Sequence, residues 1–196
     1  MKSLRRITPL ALPTLVLGTW LTACSAPVAP QGQPQPAAFV VGGPEEGQRA
    51  PAFMAPGATR DGPLATPFDL NLQRGHVTVI AFYPKDFTSG CTAEFQTFAA
   101  RGATIFGDGV TVVGISIDSV DSHVRFAQSI GHPYALLSDP DQRIAKLYGS
   151  AGDQGYDRRT VYVVGKDGTV KYRNIHFGAL DPKAYDDLQN AVAAAR

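Results

Sequence analysis

Two segments constrain the fold more than any other feature of the chain. "HVTVIAFY" (His76–Tyr83) and "GVTVVGISID" (Gly109–Asp118) are nearly unbroken apolar, β-branched runs. That is the pattern of central strands covered on both faces. Between them, Ser89 to about Gly102 carries Phe95, Phe98 and Ala99 at helical spacing, with Cys91 four residues before Phe95 on the same stripe. A strand, a helix and a second strand of the same kind make a βαβ unit.

The remaining segments extend that unit. Ser119–Ile130 reads as a helix, with Val120, Val124, Ala127 and Ile130 in register and Asp118 or Ser119 as its cap. "YALLSD" is a short strand, and "PDQRIAKLYG" a short helix ended by Gly149. "RTVYVVGKDGTVKYRNI" is a hairpin turning at Gly165–Gly168, and its "TVKYRN" arm alternates like an edge strand. A closing helix runs from about Pro182 to Ala195, apolar at Ala184, Leu188, Ala191, Val192 and Ala195. The sum is an α/β sandwich with a central mixed sheet flanked by helices.

Composition narrows the function. With 196 residues, 44% hydrophobic and 18% charged, the chain fits one globular domain plus tails. A net charge of +1 gives no electrostatic reason to expect nucleic acid as a partner. Two cysteines rule out a disulfide-stapled miniature fold, and no C-x-x-C or Cys/His cluster suggests zinc. The four histidines, His76, His123, His132 and His176, are scattered singly and read as surface or capping residues, not ligands. No haem, flavin, nucleotide or metal motif appears, so no cofactor is expected.

The N-terminus reads as a targeting segment: Lys2, Arg5 and Arg6, then an apolar run from Ile7 to Leu21. Pro9 and Pro13 interrupt the run, and it is short of the roughly 20 residues that span a bilayer. Its end, "LTACS", resembles the lipobox of bacterial lipoproteins. That resemblance implies removal of residues 1–23, lipidation of Cys24, and export to the bacterial cell envelope with no spanning helix. Ser25 after the cysteine implies outer-membrane sorting where the cell has an outer membrane. An ordinary secretory signal, leaving Cys24 a spare thiol, is the alternative. Residues 24–47 are rich in Pro, Gln and Gly without a period and read as a tether, so the folded domain is expected over residues 48–196.

"PKDFTSGC" (Pro84–Cys91) has the P-x-x-x-T-x-x-C spacing of peroxiredoxins and follows the "FY" those proteins show. "SIDSVDSHVRFAQSIGHPYALLSDPDQRIAKLYG" and "RRTVYVVGKDG" also resemble the family, nearest its bacterioferritin-comigratory subgroup. The resemblance implies a thioredoxin-like fold and a thiol peroxidase. Carried over residue by residue, Cys91 is the peroxidatic thiol and Arg159 the strand arginine beside it. Thr88 hydrogen-bonds the thiolate and the peroxide oxygen, and Pro84 shields the site. Glu94 either orients Arg159 or is a solvated first-turn acid. Taken singly, Thr88 is a helix start, Pro84 a turn and Arg159 a surface cation; their joint spacing carries the assignment.

Residue chemistry agrees. A free thiol is only about 3% thiolate at neutral pH. Helix N-termini and neighbouring cations favour the anion, and Cys91 is expected beside both. The chain departs from its relatives at Gln96, where the subgroup often has a resolving cysteine. The expectation is a one-cysteine cycle, in a monomer or homodimer, with an external reductant that is thioredoxin-like, glutaredoxin-like or a small thiol. Apart from the lipid anchor, no membrane contact is expected. Alternatives are a thiol–disulfide exchanger or redox sensor of the same fold, which usually carries C-x-x-C where this chain has Cys-Thr-Ala-Glu, and a binding scaffold with an incidental thiol.

Overall fold

The computed structural model describes residues 42–131 and 133–196. The expected leader, Cys24, most of the expected tether and His132 lie outside the described residues. In chain order come β1 (Met54–Ala55), β2 (Gly57–Thr59), β3 (Gly62–Pro63), β4 (Phe68–Asp69) and a 3₁₀ turn (Leu70–Gln73). The two expected central strands follow as β5 (Val77–Phe82) and β6 (Val110–Ser116), joined by α1 (Ser89–Ile105). Next are α2 (Val120–Ile130), β7 (Ala135–Ser138), α3 (Arg143–Leu147), β8 (Thr160–Val164), β9 (Val170–Asn174) and α4 (Pro182–Ala194).

The main sheet has the order β3-β2-β7-β6-β5-β8-β9. β5 and β6 pair in parallel from Val77 opposite Val110 to Phe82 opposite Ile115, and β7 is parallel to β6. β8 runs antiparallel on the other side of β5, and β9 closes that edge. The pattern of β5 follows directly: all six of its residues are buried, because strands flank it on both sides and side chains cover both faces. Val77, Val79, Ala81 and Tyr83 meet Phe95, Phe98, Phe126, Tyr185 and Leu188 of α1, α2 and α4. Ile80 and Phe82, on the alternate face, pack with Phe53, Leu70, Ile144 and Tyr148.

Helix ends obey local chemistry. The Ser119 side chain accepts from Ser122 N–H at 3.3 Å to start α2, and Gly131 ends it at φ +64°. Asp181 caps α4 ahead of Pro182, while both Asp139 carboxylate oxygens hold first-turn amides of α3.

Four features differ from the sequence reading. α1 continues past Gly102 to Ile105, since Ile105 and Phe106 are buried beyond it. A β-carbon at Gly102 would lie 2.1 Å from the Tyr134 hydroxyl, so this glycine serves packing rather than termination. The strands β1 to β4 have two or three residues each, too few to show a period. The last residues assigned to the tether pack on the domain: Gly43 and Pro44 are buried, and Gly47 N–H donates to Val170 O at 2.8 Å. His123, read as a surface or capping residue, is fully buried with Nδ1 3.0 Å from Asp86 Oδ2. His76 and His176 are exposed.

Gly114 shows how tightly helix and sheet close. A β-carbon there would stand 2.7 Å from Phe95 Cζ and 2.8 Å from Leu136 Cδ2. The Phe95 ring cannot retreat, because Tyr83, Phe98 and Phe126 surround it at centroid distances of 4.6, 5.7 and 6.1 Å. Gly114→Ala should therefore cost about 1–3 kcal/mol by overpacking. Urea denaturation checks this; an unchanged midpoint means that the ring has room to move.

Candidate active site

Three segments bring the expected site residues together: the loop after β5, α1, and the residue just before β8. β5 ends at Phe82, and the next residues, Tyr83 to Thr88, turn the chain into α1. Tyr83 is buried, and its N–H still donates to Ile115 O at 3.0 Å, so the sheet grips the chain up to the edge of the turn. Phe87 then adopts φ +60°, a left-handed conformation that a non-glycine residue takes only when its surroundings impose it. That reversal launches α1, with Thr88 as its N-cap and Cys91 in the first turn.

Cys91 is fully buried, so its sulfur meets only what the fold supplies. The Arg159 guanidinium arrives from the residue just before β8, on the strand beside β5. Its Nη2 donates to Cys91 Sγ at 3.3 Å, and its Nη1 pairs with Glu94 Oε2. Glu94, one turn after Cys91 and fully buried, thus fixes the head of the arginine that touches the sulfur. Gly90 makes room: a β-carbon there would lie 3.2 Å from Arg159 Nη2. Arg158 goes elsewhere, its Nη2 donating to Gly149 O at 2.5 Å. The first-turn amides of α1 add the positive end of the helix to the same point.

Thr88 and Pro84 are placed less tightly. Pro84 is half-buried beside Arg159 and Phe177, in the wall of a groove. Thr88 is exposed, and its hydroxyl donates to Lys85 O at 3.1 Å rather than to the sulfur. The resemblance assigns that hydroxyl to the thiolate and the peroxide oxygen. In the fold it closes the turn on the backbone three residues earlier.

Burial is the main influence on Glu94, pushing its carboxyl up to about 7, while Arg159 pulls it the other way. Desolvation works against the charge on Arg159 too, but Glu94 and then Cys91 outweigh it and hold the guanidinium above its ordinary range. A cation that does not let go of its proton therefore sits between two groups that can each carry negative charge. Such an arrangement can stabilise an anionic sulfur and the charge that leaves it during attack on an electrophile.

A groove beside the site has no local signal in the sequence. About 530 Å³ of open space is lined by Pro84, Arg159, the 152–158 loop and Ile175–Phe177. Asp157 belongs to its wall although fully buried; burial raises its carboxyl to about 7, against a hydrogen bond from Gln142 at 2.7 Å. No group of three or more metal-ligating side chains occurs among the described residues.

The chain is similar to several known proteins. The model of the AhpC/TSA family matches residues 47–173. A Coxiella burnetii protein bearing the name peroxiredoxin bcp is 36% identical over 133 residues, covering 64% of this chain and 85% of its own length. The peroxiredoxin Bcp of Xanthomonas campestris is 39% identical over 97 residues, 47% of this chain and 61% of its own. Among solved structures, peroxidoxin BcpB of Mycobacterium tuberculosis superposes with a TM-score of 0.67 at 26% identity, covering 78% of this chain and 99% of its own.

The Glu94 geometry fixes a sign for the response to pH. In the unfolded chain the carboxyl loses its proton near 4.5; in the fold it keeps it until about 7. Across that window the folded protein binds more protons, so stability falls as pH rises and levels off above it. Asp157 acts in the same direction. Glu94→Gln removes the Glu94 share, and its urea midpoint should drop less between pH 5 and pH 8 than the wild-type midpoint does. Equal drops would mean that Glu94 ionises as freely as an exposed acid.

Proposed function

The chain belongs to the AhpC/TSA family and is a thiol peroxidase; within that class, we propose a one-cysteine cycle in which Cys91 alone carries the redox chemistry and an external thiol regenerates it. The observation that carries this reading is the Arg159 guanidinium 3.3 Å from a fully buried sulfur in the first turn of a helix. Gln96 stands exposed where a resolving cysteine would be, and Cys91 is the one free cysteine among the described residues.

In the first half-reaction the thiolate attacks the distal oxygen of a hydroperoxide along the O–O axis. The S–O bond forms as the O–O bond breaks. Sulfur is oxidised to a sulfenic acid, and the departing oxygen leaves with a solvent proton as water or alcohol. Negative charge moves from sulfur toward that oxygen, and Arg159 lies where it stabilises the spread charge more than either end state. Glu94 keeps the guanidinium from swinging out to solvent. Thr88 exchanges its resting bond to Lys85 O for the bound peroxide, and Pro84 limits water.

In the second half-reaction a thiol attacks the sulfenic sulfur and water leaves, giving a mixed disulfide. A second thiol restores Cys91 and departs as disulfide. The groove beside Arg159 gives a small thiol or the tip of a reductant protein a route toward a sulfur that is otherwise covered. Burial of Cys91 also disfavours a direct bond between the Cys91 residues of two protomers.

Removal of residues 1–23 and lipidation of Cys24 complete the proposal, on the strength of the "LTACS" sequence. The family match starts at residue 47, beyond the stretch proposed as leader and at the end of the one proposed as tether. Acyl chains contribute about 0.8 kcal/mol per buried CH₂, so more than one chain holds a domain of this kind on a membrane surface. Labelled palmitate should enter the wild-type chain in cells and be absent from Cys24→Ala; incorporation into both variants would remove the anchor from Cys24.

Peroxide consumption with a thiol donor should vanish in Cys91→Ser. It should slow about 10²–10³-fold in Arg159→Ala, the usual loss of one preorganised donor. Activity that survives Cys91→Ser ends the proposal, and an unchanged rate in Arg159→Ala removes that residue from the site. On non-reducing gels, peroxide-treated protein should stay monomeric. A quantitative disulfide dimer that disappears in Cys91→Ser would refute external reduction.

A further inference from the structure

A second polar cluster, as deeply buried as Glu94, lies beneath the loop that precedes Cys91. Asp86 stands midway between Pro84 and Thr88, and its side chain is 1% exposed. Three donors converge on its carboxylate: Tyr83 Oη on Oδ1 at 2.8 Å, Ser122 Oγ on Oδ2 at 2.7 Å, and His123 Nδ1 on Oδ2 at 3.0 Å. The backbone of Asp86 is held as well, its N–H donating to Asp118 Oδ2 at 2.8 Å, and that oxygen also accepts from Ser116 Oγ at 3.0 Å. Tyr83 is the first residue after β5, Ser122 and His123 belong to α2, Ser116 ends β6 and Asp118 lies two residues beyond it. The start of the loop, α2 and the end of β6 therefore fix one residue in the loop's middle.

Stability alone gives a poor reason for this. A buried carboxylate and imidazole are often no better than well-packed apolar residues of the same volume. What the cluster does supply is direction. Phe87 is 54% exposed and strained at φ +60°, and packs against Phe126 at 5.2 Å, so its own burial only half accounts for the loop's shape. Burial, then Asp86, keep the Tyr83 hydroxyl protonated and hence a donor. A carboxylate with three directional partners defines a position within tenths of an ångström, as a greasy contact does not.

We propose that Asp86, gripped by Tyr83, Ser122 and His123, is the positioning residue that sets Pro84 and Thr88 for in-line attack of Cys91 on the O–O bond. It acts through the loop rather than by touching substrate, and it rests on the reading of Cys91 as the peroxidatic thiol. The role differs from that of Arg159, which acts on the sulfur itself.

Two reagents separate the roles. Hydrogen peroxide needs both the anionic sulfur and the shaped pocket, whereas iodoacetamide needs the sulfur but not the O–O alignment. Rapid quench with mass spectrometry of Cys91 reads both rates at the sulfur itself. The variants are Asp86→Asn, which turns an acceptor toward its donors into another donor, and the one-atom deletions Tyr83→Phe and Ser122→Ala. The peroxide rate should fall about a hundredfold in Asp86→Asn, as a displacement near 1 Å costs. It should fall about tenfold in either deletion, the rate equivalent of one hydrogen bond. Alkylation should be unchanged or faster. Peroxide and alkylation rates that fall in parallel, or a peroxide rate that does not fall, overturn the positioning role. Should Asp86→Asn fail to fold, the two deletions decide the matter alone. A wild-type protein oxidised no faster than a free thiol would take down the reading of Cys91 as well, which separates the two failures.

Discussion

The contact between Arg159 and its two buried neighbours is the constraint on which the rest turns. One guanidinium serves Cys91 Sγ and the Glu94 carboxyl at once, and both partners are shut off from water. In water the same three groups would interact weakly; in a low-dielectric pocket each charge is strongly felt by the others. The cost of burying them is met only while the three stay together. Glu94 shows the tension, since desolvation raises its carboxyl to about 7 despite the cation beside it. Its Oε1 has no partner among the described residues, and that oxygen is where the arrangement is least satisfied.

The fold exists, from the site's point of view, to bring that arginine to that sulfur. β5 places the loop and α1 on one side of a central position, and β8 runs beside β5 in the opposite direction. Arg159, just before β8, therefore stands level with the end of β5 where the loop leaves the sheet. Register makes this concrete: Thr160 faces Phe82. A slip of one residue would send the guanidinium to the other face, as the opposite course of Arg158 indicates. Gly114 and Gly90 then let α1 sit close enough, the first against the Phe95 ring and the second against the guanidinium.

Legibility varied with the range of the interaction. β5, β6, α2, the hairpin of β8 and β9, and α4 were readable because each carries its own signal: continuous burial, helical spacing, an Asp-Gly turn, a proline at the first helical position. The pairs among β1 to β4 were not, since two or three residues carry no period. α1 overran its apparent stop because Gly102 answers to Tyr134 across space, not to the local chain. His123 looked like a surface residue for a related reason. A histidine four residues past its helix cap has no local mark of burial; its partners, Asp86 and Tyr83, stand 37 and 40 residues earlier in the chain.

The sequence by itself determined which residue types stand in the loop, helix mouth and strand that make the site, because the P-x-x-x-T-x-x-C spacing and the apolar runs are local patterns. It also put Gln96 where a second thiol would stand. The resemblance named Arg159, but the tertiary structure alone decided between the two readings of Glu94, rested the Thr88 hydroxyl on Lys85, and opened a groove beside Pro84 and Arg159. Arg159 is 68 residues from Cys91. No local rule of the chain spans that separation; the antiparallel pairing of β8 with β5 does.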